Sequence, residues 1–437
     1  MPALVIALVA CAEHRPYRTS TAAVDVTGPL SDARVQAAIQ STSIERYDGY
    51  SIAVVEFDDQ GRFWDRRQFA AMSAEIIRQA RADEDSGVGM VVFVHGWRHD
   101  ATVCDKSLAC FRELIRRVVA DQRKLSPRPH RVVGIYVAWR GYASYRWPFE
   151  LLSFVDRKNA ATRIGAGDMP ELLSALDAFR REFNNSRKDP SALIVIGHSL
   201  GGTIVFEALA SIFKARLAEV WPGVDVDGTS RVVSGFGDLV LLVNPAIEAE
   251  RWHSIHDLAE TYASFSKHQR PLLIVASSET DSATNTWFPV GQWFGTLFEK
   301  TRDREQRQAL ITAIGNYQPF VTHHLSRGDL PPGDKTIVEG DIHVHRCVCE
   351  MPDFLSAPDV GYTLPQENEQ RDEGWGAQPC TAQQHIGPLL LTCDPKVQKG
   401  NPFWVVRVSP NVLHEHNGFF NPYFLLFVRR LVLGGLE

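Results

Sequence analysis

The sequence predicts an α/β fold: a mostly parallel central sheet with helices on both faces, carrying a late loop-rich insertion. Three observations predict it. Short unbroken apolar runs alternate with longer segments of helical spacing, the pattern of a parallel sheet whose strands are buried on both faces. One run, Leu193-Ile194-Val195-Ile196, breaks into Gly197-His198-Ser199-Leu200-Gly201-Gly202 and then into a helical stretch with Ile204, Val205, Ala208, Leu209 and Ile212. Another, Met90-Val91-Val92-Phe93-Val94, ends in His95-Gly96-Trp97.

The chain has 437 residues, 44% of them hydrophobic, with a formal net charge of -6. That is enough to bury a large core. Balanced, mildly acidic charge gives no reason to expect nucleic acid as a partner. No apolar run reaches the length of a transmembrane helix.

Taken in order, Ala3 to Ala10 is apolar and Cys11 follows. Leu8-Val9-Ala10-Cys11 resembles the lipobox of bacterial lipoproteins, so residues 1–11 are read as a signal whose cysteine is lipidated. This implies membrane association through Cys11 and a place in the cell envelope; the alternative is a cytoplasmic protein with a chance apolar start. Residues 12–47 are polar and read as a tether with a short helix near Ser31–Gln40. The core is read as residues 48–316. Ser51–Phe57 alternates, Asp58–Gly61 turns, and Arg62-Phe63-Trp64 returns, which predicts a hairpin at a sheet edge. Phe69, Met72, Ile76, Ile77 and Ala80 mark a helix. After the strand ending at His95, Leu108, Phe111, Leu114, Ile115 and Val118 mark the next helix, and Arg131–Ala138 the next strand. Tyr142 to Met169 is aromatic; it reads either as a roof over a pocket or as an ordinary connection. Asp238–Val243 and Pro271–Ala276 continue the strand series. Residues 317–400, rich in Pro, Gly, His and Cys, read as the insertion. Residues 401–437 supply a last strand, Phe403–Val408, a loop, and a final helix over Tyr423–Leu433.

Apart from Cys11, the cysteines are Cys104, Cys110, Cys347, Cys349, Cys380 and Cys393. Four fall in the insertion, as disulfides in an oxidising compartment would. His343-Val344-His345-Arg346-Cys347-Val348-Cys349 puts both His and both Cys on one face of a strand. That arrangement suits zinc, but disulfides or surface positions are the preferred reading, and no metal is expected.

Gly197–Gly202 is read as a buried strand, a sharp turn that pushes the Ser199 hydroxyl outward, and a helix. Gly197 and Gly201 let strand and helix pass without a Cβ clash, and Gly202 lets the helix pack closely. The pentapeptide alone is a weak signal; the strand before it and the helix after it are the context it needs. With His95-Gly96-Trp97 and the late His416, the chain resembles the α/β-hydrolase superfamily, most closely in texture its bacterial serine esterase and lipase-like members.

The resemblance implies a serine nucleophile at Ser199, an oxyanion hole from the backbone N–H groups of Trp97 and Leu200, and the chain order Ser, acid, His. Asp281 is the preferred acid, past the strand that ends at Ala276, with Glu279 the alternative and Glu248 weaker. His416 is the preferred base, with His414 the alternative. His95, His99 and His198 lie near the expected site, His95 and His198 in structural roles. The implied chemistry is hydrolysis of a carboxylic ester or thioester through an acyl-enzyme, without metal or organic cofactor. The alternative is a non-catalytic, membrane-anchored binding protein of the same fold.

Overall fold

The computed structural model describes residues 14–82, 85–125, 129–142, 149–186, 189–220, 232–260, 265–266, 269–296, 298–328, 383–397 and 400–436. Cys11 and the segment His343–Cys349 lie outside them.

The first half contributes strands β1 (Val24–Asp25), β2 (Ile44–Tyr47), β3 (Tyr50–Phe57), β4 (Val88–Val94), β5 (Arg131–Trp139) and β6 (Ala192–His198). Interleaved with them are helices α1 (Ala33–Ile39), α2 (Arg66–Ala82), α3 (Lys106–Leu125), α4 (Phe149–Ala166) and α5 (Met169–Ser186). The second half adds α6 (Leu200–Glu219), β7 (Leu239–Val243), α7 (His253–Glu260), β8 (Leu273–Ser278), α8 (Phe288–Gly295) and α9 (Arg304–Ile311). It closes with β9 (His323–Arg327), β10 (Gln384–Ile386), β11 (Leu389–Cys393), β12 (Phe403–Val408) and α10 (Pro422–Leu436).

Among the described residues these strands form one sheet in the order β1-β2-β3-β5-β4-β6-β7-β8-β12-β9-β11-β10. From β3 to β9 all neighbours pair in parallel. Each inner strand is apolar on both faces because helices cover both. Met90, Val92 and Val94 of β4 join a core with α2, α4, α5 and α6, while Val91 and Phe93 face a second core with α3 and α10. β6 divides in the same way: Leu193 and Val195 face one core, Ile194 and Ile196 the other. Truncating such a side chain to Ala leaves a cavity and costs about 2–5 kcal/mol. The sheet therefore holds the C-terminal ends of β4, β6, β7, β8 and β12 rigidly side by side.

Three expectations are corrected. Ser51–Phe57 is not an edge hairpin. β3 lies between β2 and β5, and the return is a single bridge, Phe57 to Phe63. Residues 14–47 are not a tether: β1 and β2 extend the sheet, and Arg18 is fully buried. Its guanidinium donates to the Ala101 carbonyl at 2.8 Å and lies 3.4 Å from Glu45. Glu45 is also gripped by both arms of Arg112, at 2.6 and 2.7 Å. Burial pushes the Glu45 carboxyl up, and the two guanidiniums more than offset it, so the group stays charged. A polar segment can thus be core when its charges are paired. The described parts of the insertion also join the sheet. β9 pairs in parallel with β12, and β11 and β10 follow in antiparallel, because Leu325, Leu389 and Leu391 have an apolar face to bury.

Candidate active site

Ser199 sits between β6 and α6 at φ 56 and ψ -121, a conformation few side chains tolerate. The surrounding backbone holds it there. The Ser199 N–H donates to the Val243 carbonyl at 3.0 Å, and its own carbonyl accepts from Gly202 at 3.0 Å and Ala246 at 3.2 Å. A Cβ on Gly201 would lie 2.1 Å from the Val94 carbonyl oxygen, and one on Gly96 would lie 2.7 Å from the Ser199 Cβ. The end of β4 and the start of α6 can approach this closely only with glycine at both positions. Gly201 thus makes room for a neighbouring strand, whereas Gly197 serves the crossing of β6 over α6, its Cβ position lying 2.8 Å from the Gly201 oxygen.

His416 lies in the loop between β12 and α10. Its Nε2 is 2.7 Å from Ser199 Oγ and its Nδ1 is 2.9 Å from Asp281 Oδ2. Asp281 is fully buried just past β8. Its Oδ1 accepts the backbone N–H groups of Ala283 and Thr284 at 2.9 and 3.2 Å, and Oδ2 also accepts from Thr284 Oγ1 at 2.7 Å. Burial raises its pKa, but the His416 contact and the Thr284 bonds outweigh burial and hold it below the ordinary carboxylate value. A carboxylate held ionised against Nδ1–H leaves Nε2 free to accept a proton from the hydroxyl.

The loop that carries His416 is pinned from below. His198 Nε2 donates to the His416 carbonyl at 3.0 Å, and Asn244 Nδ2 donates to the same oxygen at 2.9 Å and to the Glu415 carbonyl at 3.2 Å. Asn244 Oδ1 accepts from the Ser278 N–H at 2.8 Å, so one side chain ties β7, β8 and the histidine loop together. Burial, then the nearby His416, push His198 down to about 3, which keeps it neutral. Behind Asp281, Asn316 Nδ2 donates to Thr284 Oγ1 at 3.1 Å, and Arg407 in turn donates to Asn316 Oδ1.

The remaining candidates fall elsewhere. Glu279 is exposed and Glu248 is engaged by Lys158 at 2.5 Å and Gln292 at 2.8 Å, so neither is the carboxylate on His416. His414 Nδ1 is buried without a partner among the described residues and does not meet Ser199. His95 is fully buried, its Nδ1 bonded to the Gly96 carbonyl and its Nε2 accepting from the Trp139 N–H at 3.1 Å. His99 is bonded to Asp105 at 3.0 Å. Trp97 follows Gly96 beside Ser199, packs edge-on against Phe154 of α4 at 5.5 Å, and has Arg98 stacked on it at 4.3 Å. Phe154, the last aromatic of the stretch that begins at Tyr142, therefore packs on a residue of the site. Leu200 opens α6, where backbone N–H groups point outward.

Asn244, Thr284, Asn316 and Arg407 were not singled out from the sequence. Only Asn244 carried a signal, a polar residue at the end of an apolar run and directly before Pro245.

No curated protein matches the chain. Among solved structures, phospholipase PlaB from Legionella pneumophila in complex with thio-NAD is similar at 17% identity over 47% of this chain and 41% of that one, with a TM-score of 0.22. The family model described as the alpha/beta hydrolase family matches residues 91–399, more than half of the chain. The parallel sheet, the turn at Ser199 and this match together make the chain a member of the alpha/beta hydrolase family.

Proposed function

We propose that the protein is a serine hydrolase that cleaves carboxylic esters or thioesters through an acyl-enzyme. The observation that carries this is His416 bridging Ser199 Oγ at 2.7 Å and Asp281 Oδ2 at 2.9 Å. Ser199 Oγ attacks the substrate carbonyl carbon as His416 Nε2 takes its proton. Asp281 holds the tautomer and stabilises the imidazolium. The backbone N–H groups of Trp97 and Leu200 receive the oxyanion. On collapse the leaving alcohol or thiol takes the proton from His416. Water then attacks the acyl-enzyme by the same relay and releases the free acid. Ser199→Ala is the test. In folded protein, turnover of a short p-nitrophenyl ester is expected to fall by about three orders of magnitude or more. Covalent labelling by a fluorophosphonate is expected to vanish with it. Unchanged turnover refutes the mechanism; absent labelling of the parent protein favours the binding-protein alternative.

An envelope location, with Cys11 lipidated, belongs to the same proposal. Its support is Leu8–Cys11 and the disulfide bonding of Cys104, Cys110 and Cys393. Oxidised pairs suit an exported protein. Partition into detergent-extracted membranes, lost in Cys11→Ser, tests it.

A further inference from the structure

We propose that the segment following Asp281 is a docking surface for a lipid–water interface, so that the ester substrate is drawn from a membrane or micelle; this rests on the hydrolase reading above. From Ser282 to Phe298 the sequence runs without a charged residue, in a chain that is 22% charged. Seven of its seventeen residues are large and apolar, and the rest are small or uncharged polar. Burial does not explain it: Trp287 is 61% exposed, Trp293 47% and Phe298 99%.

The inner side of the segment is anchored. Phe288 is 1% exposed and lies under the Lys158 ammonium at 4.6 Å, and Gln292 and Lys158 both engage Glu248. These contacts join α8 to α4, where Val155 stands 40% exposed. Five large apolar side chains are strongly exposed among the described residues, and four of them fall on these two joined elements or their flank. Scattered exposed apolar residues are ordinary; concentration of this kind marks an interaction surface.

Its position ties it to the site. The first turn of the segment supplies three of the hydrogen bonds on Asp281, through Ala283 and Thr284, and α4 carries Phe154 against Trp97. A surface docked here holds Ser199 beside the interface. The occupant is lipid because indole rings with an apolar body and one polar N–H partition to the headgroup level. An eight-residue α8 is too short to span a bilayer and long enough to lie in its face. The charges that follow, Glu299, Lys300, Arg302, Asp303, Arg304 and Glu305, balance in sign, so zwitterionic lipid suffices.

The test uses phosphatidylcholine vesicles and the full purified chain carrying Cys11→Ser as the parent, so that no lipid anchor contributes. The protein is expected to sediment with them at low and high salt, and brominated lipid to quench its tryptophan fluorescence. Trp287→Ser, Trp293→Ser and Phe298→Ser are each expected to weaken vesicle affinity about tenfold and to lower turnover of a vesicle-borne ester in step. Turnover of a short soluble ester should stay within about twofold of the parent. Phe298→Ser removes a side chain that touches almost nothing, so it reports even if a tryptophan variant fails to fold. Ser199→Ala should bind vesicles fully, which separates failure of docking from failure of the proposed chemistry. No sedimentation of the parent, or unchanged sedimentation of all three variants, overturns the proposal. A parent that ignores vesicles but dissociates from dimer to monomer on Phe298→Ser assigns the surface to a second copy instead.

Discussion

Asp281→Asn isolates the charge from the shape. Two backbone N–H groups, from Ala283 and Thr284, converge on Oδ1, so the amide oxygen of Asn must occupy that site. The amide nitrogen then falls where Oδ2 was, facing Thr284 Oγ1 and His416 Nδ1. Thr284 can turn to accept. Nδ1 can accept only by giving up its proton, which puts the imidazole proton on Nε2. His416 would then donate to Ser199 Oγ across the 2.7 Å contact instead of taking its proton. With the wrong tautomer and no anion to stabilise an imidazolium, kcat is expected to fall about 10⁴-fold, roughly 5.5 kcal/mol of barrier, with KM held. Stability carries a second signature. The Asp281 pKa is lowered in the fold, so its contribution is present above the unfolded carboxylate value and lost as pH falls through the folded one. The Asn variant should lack that acid-side loss. Steady-state kinetics on p-nitrophenyl butyrate, with circular dichroism to confirm folding, provides the assay. Glu279→Gln is the control and should keep activity within about twofold, since Glu279 is exposed. A folded Asp281→Asn protein within tenfold of the parent would refute the reasoning.

Ser199→Gly should be inactive yet more stable than the parent by about 1 kcal/mol, because it releases the strain at φ 56 and repays part of it as unfolded-chain entropy; urea midpoints that fall would contradict this. Asn244→Ala removes the donors to the Glu415 and His416 carbonyls, so kcat should drop about 10–100-fold while KM holds; a change confined to KM would argue against positioning. Burial lowers His95 to about 4 and His198 and His323 to about 3, all from 6.5. The unfolded chain therefore takes up protons first as pH drops. Stability is full above 6.5 and should decline by up to about 4 kcal/mol per pH unit towards pH 4; a flat unfolding free energy from pH 6.5 to 4.5 would contradict it.

What was legible in the sequence was whatever burial and backbone sterics write locally. Val91 and Phe93 face one core and Met90, Val92 and Val94 the other, so an unbroken apolar run is what a two-sided strand must look like. Gly96, Gly197 and Gly201 are visible because no other residue leaves room where these segments cross. The ends of the sheet were less legible. Arg18, Glu45 and Arg112 are core residues only in one another's presence, and single-residue polarity cannot reveal a pairing made across 67 positions. β9, β10 and β11 are short, and their apolar faces become visible only once β12 offers a partner.

The site divides along the same line. Ser199 is placed by its own neighbours in sequence, and its motif is therefore local. Asp281 and His416 are placed by bonds to distant segments. His416 lies 217 positions from Ser199 and reaches it because His198 and Asn244 hold its carbonyl from beneath. These bonds go to backbone oxygen, so they constrain the loop's path and leave no mark on the residue types within it. His414 and His416 are equivalent as letters, and Glu279 and Asp281 nearly so. The structure separates them by which backbone N–H groups and carbonyls converge. Asp281 alone meets the turn formed by Ala283 and Thr284, and His416 alone stands over Ser199. That same turn leads within a few residues to the exposed Trp287, so the group that orients His416 and the surface proposed to meet lipid share one stretch of backbone. Displacement of this stretch on docking would reach Asp281 directly, without passing through the sheet.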